Sequence, residues 1–573
     1  MKSLLPTNRE EMKARGWDAC DIIFVTADAY CDHPSFGTAL LSRFLESKGY
    51  RCGVLAQPDW KKDEDFKKLG QPKLFFGVTA GNLDSMLALY TPYLHLRRED
   101  RYSPGGAAGL RPKLPSIVYT SRCKSLFAKT PVVIGGLEAS LRRFAYYDFW
   151  TDKVRRSLLF DAKADLLVYG MAERQILDIA ERIKKGQGVE ELKDIRGTVT
   201  ASRTVPQHCV VLPSFEEVRA DKKKFLEAFR LYSRETNPYT AKPVAQKTDT
   251  RFCLQHPPAL PLSGKEMDEL YGLEFTRRAH PSAERFGGLP ALKTVETSIV
   301  SHRGCAGTCS FCSLSLHQGR VIQSRSEKSI VEEARKLTRD ENFKGTISDV
   351  GGPTANMYAA VCARQNKCSR PDCLWPQVCP NFKLDYAKQL SMLRAVRALP
   401  GVKKVHIQSG VRFDLLLNPE AKEYLEELCR HYVSGQLKIA PEHVSNSVLR
   451  LMRKPAFGTY RQFVGLYQKT CRKLGKDQYL AQYFVTSHPG CGPKEAEELA
   501  AYTRSMGYRP EQIQDFVPLP MTASSVMYYT GLDPETGKPL HVPKGRKERE
   551  HQRRMVQGRR RTCAVDSAPD EVA

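Results

Sequence analysis

SHRGCAGTCSFCSL, residues 301–314, carries Cys305, Cys309 and Cys312 within eight residues. Gly304 and Gly307 sit among them and permit the sharp backbone bends that a tight metal-binding loop needs. A four-iron cluster wants a ligand on each iron, so three cysteines leave one iron open to an outside ligand. Structural zinc wants four protein ligands, and the next histidine, His317, stands five residues beyond Cys312. The spacing therefore reads as an iron–sulfur loop, with a zinc loop or three reduced thiols as the alternatives. The loop closes an apolar, β-branched run, VETSIVSHRG (295–304), so it falls at a strand's carboxyl end.

Outward from the loop, strand and helix patterns alternate. GTISDVGG (345–352), VKKVHIQSG (402–410), GQLKIAPEH (435–443), YLAQYFVTSHPG (479–490) and PEQIQDFVPLP (510–520) read as strands. Helical patterns at 327–339, 384–398, 418–432, 459–474 and 493–506 separate them. This predicts a partial (β/α)6 barrel over 291–545, with its site at the strand ends. Upstream, DIIFVTADAY (21–30), RCGVLAQ (51–57), KLFFGVTA (73–80), SIVYTS (116–121), TPVVIGG (130–136) and ADLLVYG (164–170) read as strands. Helical patterns at 33–50 and 173–185 fit between and after them. Residues 1–200 thus predict an α/β, Rossmann-like, doubly wound sheet. The proline-rich stretch 201–290 reads as an irregular linker with helix near 215–233, and the basic segment 546–573 as a disordered tail.

The chain has 573 residues, a net charge of +25 and 17 cysteines. Unevenly clustered thiols do not resemble the disulfide framework of a small secreted domain. The start, MKSLLPTNREEMKARGW, lacks a signal-type apolar core, and no run is long and apolar enough to span a membrane, so a cytoplasmic location is expected. The basic balance favours RNA or another polyanion as partner, against the plainer reading of a solvated surface. LRRFAYYDFW (141–150) combines arginine and aromatics as a base-stacking surface would, and equally as an interdomain core would. A second group, Cys362, Cys368, Cys373 and Cys379, is interleaved with Pro371, Pro376 and Pro380. Its segment has little regular pattern, so a metal would supply folding energy. An auxiliary iron–sulfur cluster, zinc held by all four thiolates, and unliganded thiols compete here.

RGCAGTCSFC resembles the radical S-adenosylmethionine (SAM) signature. Together with TADAYCDHPSFG (26–37), GVTAGNLDSM (77–86), VVIGGLEASLRRFAYYDFW (132–150), ADLLVYGMAE (164–173), GGPTANMY (351–358), APEHVS (440–445) and QDFVPLPM (514–521), it resembles the YgiQ family over nearly the whole length. The resemblance implies a 4Fe-4S cluster on Cys305, Cys309 and Cys312, SAM on its open iron, and reductive cleavage to a 5′-deoxyadenosyl radical. Gly351, Gly352, Pro353 and Thr354 would meet the methionine amino group. Ser409, Arg412 and Glu442 are candidates for its carboxylate and the ribose, and FVPLPMT (516–522) for adenine packing. The amino-terminal half is similar to cobalamin-binding domains, but DHPSFG (32–37) departs from the DxHxxG loop, so bound cobalamin would lack a histidine beneath the metal.

The leading expectation is a radical SAM enzyme that modifies an unknown substrate, RNA or protein, with flavodoxin or ferredoxin as electron donor. The alternatives are a non-catalytic iron–sulfur redox sensor and a zinc-dependent nucleic-acid-binding protein. Catalytic residues beyond the cluster ligands are not identifiable.

Overall fold

Runs such as Ile22–Thr26, with every side chain buried, can only lie inside a sheet covered on both faces. The computed structural model describes residues 3–507 and 510–557. Its amino-terminal half is built on a nine-stranded sheet. Cys52–Ala56, Ile22–Thr26, Phe75–Thr79, Val132–Gly135 and Leu166–Val168 run parallel in that spatial order. Thr198–Ser202 then pairs antiparallel to Leu166–Val168, and Arg251–Gln255, Val244–Thr248 and Val210–Leu212 complete the edge.

Three sequence expectations are corrected here. The stretch 201–290 is not an irregular linker throughout, because its strands extend the first sheet. Residues 116–121 lie in the helix Pro115–Leu126 rather than in a strand: Pro115 starts the helix, and Ser116 is tied to the buried Glu138 through its amide and hydroxyl. The segment 546–573 does not begin as a disordered tail. Arg546–Gln557 is a helix with Arg549, Gln552 and Val556 buried, and the remainder lies outside the described residues.

The carboxy-terminal half is a partial barrel whose parallel strands follow chain order. Ile299–Val300 pairs with Val350–Gly351, and Thr346–Ile347 in the same segment pairs with Lys404–Val405. Val411 bridges to Ile439, after which Gln436–Glu442, Tyr479–Thr486 and Ile513–Asp515 pair in turn. Helices such as Glu327–Thr338, Tyr386–Arg397, Phe457–Lys473 and Pro493–Ser505 cover the outside.

The two halves share one core. Tyr147 stacks on Tyr529 at 4.9 Å between centroids, and Phe149 meets Tyr528 edge-on. The aromatics Phe144, Tyr146, Tyr147 and Phe149 are buried, which favours the interdomain reading of residues 141–150. Arg303, directly before the cysteine loop, forms a buried ion pair with Glu173 of the first half and donates to the Tyr271 hydroxyl. The loop is thereby fixed against the amino-terminal sheet. No helix among the described residues is long and apolar enough to cross a membrane.

Candidate functional site

The cysteine loop is held from several sides. Gly304 has φ +85°, and a Cβ there would collide with the Val321 carbonyl, so this corner needs glycine. The Cys305 amide donates to Gly319 O at 3.1 Å. Ser310 donates through its amide to Met452 O, accepts from the Ser524 amide at 2.8 Å, and meets the Ser524 hydroxyl at 2.8 Å. Ser524 in turn contacts His488 Nε2 at 2.7 Å, and the His488 ring packs edge-on against Phe311. Thr308 donates its amide and hydroxyl to Asp372 of the second cysteine segment.

The later strand ends deliver polar groups to this loop. Thr354 Oγ1 lies 3.5 Å from Cys305 Sγ. Gly351 and Gly352 are packed so closely that a Cβ would strike the Ser409 hydroxyl and the His302 ring respectively. Pro353 continues this turn and is half-buried. Arg412 is buried, with Nη1 3.9 Å from Cys309 Sγ. Asp414 fixes it by two bonds of 2.9 Å, and its amide donates to Asn356 Oδ1 at 2.8 Å. Burial alone would raise the Asp414 carboxyl, but Arg412 beside it holds it below its usual value.

Glu442 is buried at the strand end with φ +68°, and Lys454 Nζ lies 3.6 Å from its carboxylate. Burial raises the Glu442 carboxyl, and Lys454 and Arg412 oppose that rise. Burial likewise pushes the Cys309 thiol up, against the pull of Lys454 and Arg412, and takes Cys312 to about 12. Ser409 is committed differently: its hydroxyl and amide both donate to Asp349, so it reaches the site as the partner of that carboxylate.

Sequence reasoning missed Asp349, Asn356, Asp414 and Lys454. Asp414 stands two residues from Arg412, a spacing that signals a local pair, whereas Lys454 had no signal.

Among the described residues, no three Cys, His, Asp or Glu side chains converge closely enough for one metal ion. A cubane makes a different demand, because each thiolate serves its own iron at a separate corner. Three thiols on one fixed loop, a guanidinium beside one and a hydroxyl beside another suit such an anionic cluster.

The second cysteine segment lies alongside. A short ribbon, Val361–Cys362 against Phe382–Lys383, closes it. Cys362, Cys368 and Cys373 line a cavity of about 350 Å³. The Cys379 amide donates to Cys373 O at 2.7 Å, and Arg320 reaches Cys373 Sγ at 3.5 Å.

Two further cavities adjoin the first loop. One, of about 910 Å³, is bounded by Cys309, Cys312, Cys368 and, from the first half, Arg143 and Tyr232. Another, of about 440 Å³, lies at the carboxyl ends of the amino-terminal strands, lined by Gly135, Gly170 and Leu137 and faced by Leu314 and His317 of the cysteine segment. His317 Nδ1 contacts Ser140 Oγ at 2.9 Å, and burial, with Arg303 and Arg143 nearby, lowers its pKa to about 4. His33 is fully buried and engaged by the Ser35 amide and Arg277. Its neighbour Asp32 pairs with Arg43.

Comparison with known proteins places this arrangement. Residues 4–298 match the Radical SAM N-terminal family and residues 299–500 the Radical SAM superfamily. A UPF0313 protein of Clostridium botulinum is 48% identical over 558 residues, covering 96% of this chain and 86% of the relative. One from Methanocella arvoryzae is 48% identical over 554 residues, covering 96% and 92%. Among solved structures, the radical SAM methyltransferase TsrM from Kitasatospora setae, with cobalamin and a 4Fe-4S cluster bound, matches with TM-score 0.50 and 14% identity, over 89% of this chain and 78% of that one. The chain belongs to the UPF0313 family of radical SAM proteins, whose cofactors are a 4Fe-4S cluster and SAM.

Proposed function

We propose that this radical SAM protein is an enzyme that cleaves SAM reductively on a cluster held by Cys305, Cys309 and Cys312, and uses the radical to modify RNA or protein. The observation that carries the reading is the meeting of four strand ends at one loop, with Thr354 3.5 Å from Cys305 and Arg412 3.9 Å from Cys309. When bound, the cluster supplies one electron to the sulfonium, and the S–C5′ bond breaks to methionine and a 5′-deoxyadenosyl radical.

The chain's own groups do the positioning. The backbone of Gly351, Gly352, Pro353 and Thr354 offers close approach beside Cys305 for the methionine amino group. Arg412, kept charged by Asp414, balances negative charge at Cys309 and faces the carboxylate. Glu442 and Lys454 offer an acceptor and a donor to the ribose. Ser409 holds Asp349 in place. The segment 516–522 packs on adenine, and the electron comes from a flavodoxin or ferredoxin.

The test is anaerobic reconstitution with iron and sulfide, followed by SAM and a strong reductant. 5′-Deoxyadenosine is expected, with about four irons per chain, or about eight if Cys362, Cys368, Cys373 and Cys379 hold an auxiliary cluster. Iron without product would move the reading to a redox sensor, and zinc without iron would sink it.

A second cofactor is favoured by one observation, the cavity of about 440 Å³ at the strand ends facing the cysteine segment, where Rossmann-like sheets place ligands. Cobalamin, bound in the solved TsrM structure, would sit there against Gly135, Leu137 and Gly170, with His33 sealed away from the metal. A visible spectrum of cobalamin retained after gel filtration is the expected result, and its loss in Gly135→Trp assigns the cavity. No retained cobalamin by the wild type overturns this reading.

A further inference from the structure

Between the two halves, the cavity of about 910 Å³ that holds Cys309 and Cys312 in its wall is strongly cationic. Arg143, Arg230, Arg234, Lys242, Arg320, Arg370 and Arg453 line it, against Glu235 and Glu535. Arg453 pairs with Glu535. None of the other six side chains forms an ion pair with a described carboxylate, although the Lys242 amide donates to Glu235 at 2.7 Å. Arg230, Arg320 and Arg370 are steadied by backbone carbonyls instead.

Arg143 is the unusual member. It is 6% exposed, yet its guanidinium makes no hydrogen bond or ion pair to any described residue. Its Nε is sealed without a partner. The group is stacked at 4.3 Å over the Tyr169 ring and lines the cavity. A buried charge without a counter-ion is expensive. One cation–π contact, about 0.5–2 kcal/mol, does not offset that cost, and the guanidinium is left uncommitted toward an anion in the cavity. Its chain neighbour Arg142 shows the alternative, being fully buried against Asp84.

One carboxylate would satisfy Arg143 alone. It would leave the side chains of Arg234 and Lys242, both exposed on the same wall and without a salt bridge to a described residue, unexplained. Spaced cations along one wall call for repeated negative charge, the electrostatic part of a single-strand groove. We infer that this cavity binds the phosphate backbone of a single-stranded RNA segment, with Arg143 gripping one phosphate beside the cluster and Arg234 and Lys242 tracking its neighbours. As a substrate site this rests on the radical reading above. As a binding site it is tested without it.

The experiment titrates a fluorescently labelled single-stranded oligouridylate into cluster-reconstituted full-length protein at several salt concentrations. Arg143→Gln is expected to weaken binding about ten-fold or more, and Arg143→Lys to restore part of it. Arg234→Gln with Lys242→Gln, surface changes that spare the fold, should lower the slope of log K against log salt by about 1.4. Oligouridylate binding unchanged in both variants overturns the inference. So does displacement of the oligouridylate by an acidic peptide at equal concentration, which would make the partner a protein. Failure of the wild type to form 5′-deoxyadenosine is a separate readout and would sink the radical reading, not this one.

Discussion

The two cysteine segments are neighbours, joined through Thr308 and Asp372, yet the fold prepares them differently. The first is clamped by the barrel: Gly304 against Val321, Ser310 between Met452 and Ser524, Phe311 on His488, and Arg412 at Cys309. The second is closed by a ribbon of two residues per strand and braced by Arg370 on its own carbonyls, while Val361 and Val378 stay exposed. If the first loop holds the cluster as proposed, its ligands are set before the cofactor arrives, as positioning a reactive group requires. A loop of the second kind has fewer such clamps, so a metal, if it binds there, would add to the loop's order.

The largest effect should come from ligand removal. Cys305→Ala, Cys309→Ala or Cys312→Ala should each abolish 5′-deoxyadenosine formation, whereas Cys368→Ala should leave SAM cleavage standing and lower bound metal alone. Equal loss from both sets, read by product and iron assays, would break the distinction. Next comes Arg412→Gln. It strands the buried Asp414, which costs about 3–5 kcal/mol, and removes a cation from beside Cys309, so redox titration should show a more negative cluster potential.

Gly304→Ala forces a side chain into a left-handed corner against a carbonyl. About 1–3 kcal/mol should be lost in denaturant unfolding, while Ser369→Ala, exposed in the second segment, should be silent. Acid sensitivity around the first loop is a separate test, made on the wild type rather than on a variant. Burial lowers His302 to about 4 and His443 and His488 to about 3. Below pH 6.5 the unfolded chain therefore binds protons that the folded chain refuses. Their contribution is fully present above that pH and is lost toward pH 3, at up to about 1.4 kcal/mol per unit for each histidine. A denaturation midpoint that stays flat from pH 7 to 4 would contradict this.

Local sequence carried the parts of the molecule that are locally specified. Ile22–Thr26 and Val132–Gly135 are strands because their apolar runs admit little else, and Cys305, Cys309 and Cys312 share a loop because the chain keeps them within eight residues. Legibility failed where context outweighed pattern. SIVYTS has strand composition but follows Pro115 into a helix, and the strand at 210–212 is short and cut off by prolines and two helices from the hairpin of 244–248 and 251–255 that pairs with it. The charged 546–557 reads as solvated, yet its helix is pinned by Arg549 to Phe516 O and by Gln552 to Cys491 O.

By itself, then, the sequence determined the alternation that makes a sheet and a partial barrel, and the spacing that makes a cluster loop, since both depend on neighbours along the chain. Only the tertiary structure decided that Arg412 comes to lie beside Cys309, that Asp349 takes the hydroxyl of Ser409, and that Arg143 is left buried without an ion-pair partner while Arg142 has one. Those outcomes depend on groups from distant segments competing for the same buried space, where an unmet charge is costly, and no local pattern records who wins.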